Sequence, residues 1–119
     1  MTTLHFVMRR PRLPIIIDTQ SGLIGAKSWV TCAKRLSRLA PGDLKDCVVI
    51  DADARLYMVA PDPMALCPTA TRQWTKLAII KLYNSKKPGG CQDYPVNSLG
   101  NKPVEKVVKD LVDLLNAAS

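Results

Sequence analysis

The segment 103–117 constrains this chain more than any other. Val104, Val107, Val108, Leu111, Val112 and Leu115 recur at helical spacing and line one face. The opposite side carries the i,i+4 pairs Glu105–Lys109, Lys106–Asp110 and Lys109–Asp113, which belong in water. Pro103 suits the first turn, where its missing N–H goes unnoticed. A helix with one apolar stripe is stable only when another surface covers that stripe. In a chain of 119 residues with 47 % hydrophobic content, helix and cover belong to one domain.

The cover reads as a small sheet. Leu13 to Ile17 is apolar and β-branched, bounded by proline and aspartate, so a short buried strand is expected there. Residues 18–27 hold two glycines among polar residues and read as a loop. Val48-Val49-Ile50 is a strand core, and Leu56, Met58 and Ala60 alternate with Tyr57 and Val59. Asp51-Ala52-Asp53-Ala54 between them supplies turn chemistry, so a hairpin over 47–60 follows. Residues 91–96 offer a further short strand before a loop at 97–101. The connection from 13–17 to 47–51 runs through a helix and leaves a parallel pairing open.

Two further helices are expected. Ser28 is a good N-cap, and Trp29, Cys32, Ala33, Leu36 and Ala40 fall on one face of a helix over 29–40, which Pro41-Gly42 ends. Residues 69–85 suit either a helix or a central strand, and their length favours the helix. Asp62-Pro63 has the form of a cap and first-turn proline. The fold class is therefore α+β: a small, mostly antiparallel sheet packed by about three helices. Residues 1–12 form a basic N-terminal arm or irregular start, and 13–119 the single domain. No uninterrupted apolar run approaches the roughly 20 residues of a membrane span, so no membrane insertion is expected. Leu13–Ile17 is too short for a signal-peptide core, which makes the cytoplasm the default location.

The chemistry-bearing motifs fall short one by one. Gly22-Leu23-Ile24-Gly25-Ala26-Lys27-Ser28 imitates a phosphate-binding loop, but two residues rather than four separate the glycines and Ala26 precedes the lysine. Asp51-x-Asp53 lacks the oxygen ligand and glycine that a calcium loop needs at its fifth and sixth positions. Cys32, Cys47, Cys67 and Cys91 contain no short-spaced pair, and His5 is the only histidine, so neither a zinc set nor a Cys–His dyad assembles. The cysteines read as reduced, Cys32 and Cys47 as core residues. No catalytic constellation, cofactor motif or metal set emerges, and the balance is against an enzyme.

Charge is the remaining signal. Seventeen Lys and Arg against ten Asp and Glu give +7, which favours an anionic partner. The candidate anion- or partner-binding residues are Arg9, Arg10 and Arg12 on the arm, Lys27 before the first helix, Lys34, Arg35 and Arg38 on it, and Lys86 and Lys87 on a loop. The first reading is a non-catalytic protein-interaction module, accessory, adaptor or inhibitor-like, with an acidic protein partner. The alternative is a nucleic-acid-binding protein that uses the arm and the helix stripe, although exposed stacking aromatics are scarce. An enzyme with an unfamiliar site around Asp51 or Asp53 comes third.

Overall fold

The computed structural model describes residues 4–61, 64–69, 73–95 and 102–118. Six strands, β1 (His5–Phe6), β2 (Ile15–Thr19), β3 (Gly22–Ala26), β4 (Val48–Ile50), β5 (Leu56–Pro61) and β6 (Met64–Pro68), form one sheet in the order β1-β6-β5-β4-β2-β3. Every pairing is antiparallel except β1 with β6. Four helices flank it: α1 (Trp29–Ser37), α2 (Pro41–Asp46), α3 (Lys76–Lys86) and α4 (Val104–Ala118). This is an α+β domain with helices on both faces. None of the helices among the described residues is long and apolar enough to cross a membrane.

The period-two alternation of the strands sends side chains to two separate cores. Ile16, Leu23, Ile50 and Leu56 meet Ile79, Ile80 and Tyr83 of α3 and Val107, Val108, Leu111, Val112 and Leu115 of α4. Ile15, Ile17, Val49, Tyr57, Val59 and Leu66 face the other way, onto Cys32 and Leu36 of α1 and Leu44 of α2. The apolar stripe on 103–117 is thus covered as its pattern requires. The 47–60 hairpin is present, with Val49 opposite Tyr57. Ser28 caps α1 by accepting from the Thr31 N–H at 3.2 Å.

Several expectations change. The stretch 18–27 is not a loop: after the Gln20–Ser21 turn the chain returns as β3, antiparallel to β2. Gly22 takes φ 150° at that turn, and Thr19 Oγ1 donates to its carbonyl at 2.8 Å. Because this hairpin reverses the chain before α1, β4 meets β2 antiparallel, with Ile16 opposite Ile50, and the parallel alternative falls. Helix 29–40 stops at Ser37, and Pro41 opens a short second helix instead of only ending the first. Position 62, where a helical turn was expected to start, lies outside the described residues, and Met64–Pro68 continues as strand β6. The helix expected over 69–85 is Lys76–Lys86, started by Thr75, whose hydroxyl accepts from the Ala78 N–H at 3.1 Å, so Lys86 lies on the helix and not on the loop expected for it. Residues 91–95 form no strand, while Val96 and the 97–101 loop lie outside the described residues.

Candidate functional site

The chain from Leu4 to Arg12 crosses the far end of the sheet, and its three arginines take three different roles. Arg9 N–H bonds to the Val7 carbonyl at 2.8 Å, closing a three-residue turn around Met8, whose φ is 69°. That turn separates neighbouring side chains. Arg9 Nε donates to the Tyr57 hydroxyl at 3.1 Å, and its guanidinium lies 5.6 Å from the ring centre. Arg10 lies over the Phe6 ring at 4.8 Å. Arg12 reaches Asp53 at 2.6 Å and Glu105 at 3.1 Å, and Asp53 first, then Glu105, holds its guanidinium above its ordinary pKa.

Beneath this segment Asp51 is 1 % exposed. Its carboxylate accepts from the backbone N–H groups of Arg12, Asp53 and Arg55 at 3.2, 2.9 and 3.0 Å, and from the Tyr57 hydroxyl at 3.2 Å. Burial raises the Tyr57 pKa, against the pull of Arg9. Four donors occupy the carboxylate, so Asp51 ties the N-terminal segment to the hairpin turn. It is a structural anchor of the kind aspartate commonly provides at turns.

Between β1 and α1 runs a groove of about 570 Å³. Leu4 and Phe6 form one wall; Trp29, Val30 and Ala33 form the other; Arg10, Lys34 and Ser37 stand at its margin. Phe6 and Trp29 meet edge to face, ring centres 4.8 Å apart. Val30 is 70 % exposed on a helix whose other face is buried. Neither Arg10 nor Lys34 makes an ion pair among the described residues. An apolar trough with unpaired cations at the margin suits a ligand that is apolar along its length and anionic at its ends.

The other sequence-predicted cations are dispersed. Lys27 pairs with Asp113 of α4. Lys86 pairs with Asp18 at 2.6 Å and donates to the Thr19 carbonyl at 2.8 Å, tying α3 to the end of β2. Lys87 pairs with Asp93 at 2.7 Å. Arg35 donates to the Gly25 carbonyl and, at 2.7 Å, to Asn116. Arg38 lines a second cleft with Arg35, Leu39, Pro88 and Leu115, at the β3 edge. Only Arg10 and Lys34 of the nine therefore share the groove. Tyr57 and Tyr94 are both buried. Tyr94 donates to Asp110 at 2.8 Å, where Lys102 also reaches both groups. Burial works against the Asp110 charge, but hydrogen bonds from Lys106, Tyr94 and Lys102 outweigh it and hold this carboxyl below the usual range.

Sequence reasoning placed Trp29 on the buried face of its helix but passed over Leu4 and Phe6. The signal was there: Leu4 and Phe6 alternate with polar His5, a strand pattern too short to stand out. All four cysteines are free thiols. Burial pushes Cys32 up to about 12, with Cys47 adding to it, and pushes Cys47 up to about 11, so neither is a nucleophile at neutral pH. Comparison of the chain with protein-family models, curated proteins and solved structures finds no match.

Proposed function

We infer that this protein is a non-catalytic interaction module whose β1–α1 groove takes an acidic, apolar-cored segment of a partner protein. The observation that carries this reading is the groove itself: the half-buried rings of Phe6 and Trp29 and the exposed Val30, beside two cations that have no internal acid. Aromatic anchors in a trough, with polar groups at the rim, are what a docking surface needs. The charge distribution favours a peptide over nucleic acid. Of the nine candidate cations, Arg12, Lys27, Lys86 and Lys87 are paired with acids within the fold and Arg9 and Arg35 serve internal hydrogen bonds, which leaves Arg10, Lys34 and Arg38 of that set for a phosphate track.

Trp29 reports directly on the groove. In a Trp74→Phe background, titration with a glutamate-flanked, leucine-containing peptide is expected to shift Trp29 emission saturably. Val30→Glu, on an exposed position, should abolish the shift while leaving the unfolding midpoint unchanged. Reversal of Arg10 and Lys34 to glutamate should weaken binding about tenfold or more at low salt, and less as screening grows. Loss of the peptide effect, with binding of single-stranded oligonucleotides that depends on Arg9, Arg10 and Arg12 and falls steeply with salt, would overturn this reading for the nucleic-acid one.

A further inference from the structure

The two edges of the sheet are treated differently. Along β3, antiparallel alternation turns the backbone groups of Leu23 and Gly25 outward, away from β2. Arg35 donates to the Gly25 carbonyl there, and Asn116 of α4 fixes the same guanidinium. A charged side chain laid along an edge is a standard way to block further strand pairing. At β1 Arg10 stacks on the Phe6 ring, but no side chain among the described residues bonds to the outward backbone groups of Phe6. Val7 N–H bonds to the Leu66 carbonyl at 3.0 Å, and Phe6 stands opposite Leu66 in the parallel pair. Alternation then turns the N–H and C=O of Phe6 away from β6, and neither has a partner among the described residues. Phe6 itself is one of the residues that line the groove.

We propose that the acidic partner segment binds by strand addition to β1: its backbone pairs with the N–H and C=O of Phe6, and its alternate side chains enter the groove against Phe6, Trp29 and Val30. This rests on the docking reading above and specifies its mode. A helix in the same groove would satisfy its own backbone and leave the Phe6 groups desolvated without partners, whereas an added strand uses them. A second copy of this chain is disfavoured as the occupant, because two molecules of charge +7 would bring Arg10 and Lys34 against their own kind.

The test uses a capped peptide with a core of alternating leucine and threonine and two glutamates at each end. Two versions are N-methylated, one at the leucine amides and one at the threonine amides. Side chains are identical, and only one set of amides faces β1 in an added strand. The expected result is asymmetric: one version loses affinity by about tenfold or more, while the other stays within about threefold of the parent. In the parent complex the Phe6 amide becomes protected from solvent exchange. Equal effects of the two methylations, or an unprotected Phe6 amide, with the parent still bound and Val30→Glu still blocking it, would overturn strand addition and leave the docking site standing. Absence of parent binding would overturn both.

Discussion

Gly25→Ala is the most demanding test of how α4 sits on the sheet. A Cβ at this position would lie 3.1 Å from Val112 Cγ1, 3.2 Å from Val112 Cα and 3.2 Å from the Val112 carbonyl oxygen. Carbon atoms rest roughly 3.5–4.0 Å apart and carbon–oxygen contacts roughly 3.3–3.6 Å, so all three contacts are compressed. Two of the three atoms are backbone, and a rotamer change at Val112 cannot move them. The helix cannot retreat freely either, since Val107, Val108, Leu111 and Val112 are fully buried along its length. Overpacking of this kind costs about 1–3 kcal/mol. The alanine also restricts the unfolded chain, which returns roughly 0.4–1 kcal/mol. The net expectation is a loss of about 1–2 kcal/mol, or very roughly 3–10 °C in Tm. Urea unfolding followed by Trp74, which packs against the same core, measures it. Gly42→Ala is the control: its Cβ meets nothing within 4 Å, it lies in α2, and it should stabilise by up to about 1 kcal/mol. A Gly25→Ala protein as stable as the parent would refute direct contact between α4 and β3.

Three further outcomes are expected. Asp51→Asn puts an amide donor among groups that donate to Asp51, and should destabilise by about 1–3 kcal/mol in chemical unfolding. Because the folded Asp110 pKa is depressed, its contribution is complete above the unfolded value near 3.9 and is lost as pH falls through the folded one. Asp110→Asn should therefore be less stable than the parent at pH 7, by about 1–2 kcal/mol, and the gap should close towards pH 2. With a thiol reagent at pH 8, the half-buried Cys67 and Cys91 should react well before Cys32 and Cys47, and equal rates for all four would contradict the buried, protonated pair.

Long periodic segments were readable from sequence, and short ones were not. The α4 stripe and the Val48–Ile50 hairpin stand out because many residues repeat one pattern. β3 was hidden because its glycines signal a turn; Gly22 does sit at one, but Gly25 is there for the close approach of α4, a requirement set 87 positions further on. The groove was half visible. Its helix wall follows from the Trp29 stripe, whereas its strand wall depends on β1 pairing with β6, which no local pattern encodes. Charge alone nominates nine cations, and pairing within the fold decides which of them are free.

The pairing of β1 with β6 also sets an order of events. His5 finds its partner at Ala65, some sixty positions along the chain, and that partner exists only once β4, β5 and β6 have formed their meander. Closing so long a loop for a two-residue strand is entropically unfavourable until the rest is in place. β1 is thus expected to dock last, after the transition state for folding has been crossed. Weakening it with Phe6→Ala should then accelerate unfolding and leave the folding rate unchanged.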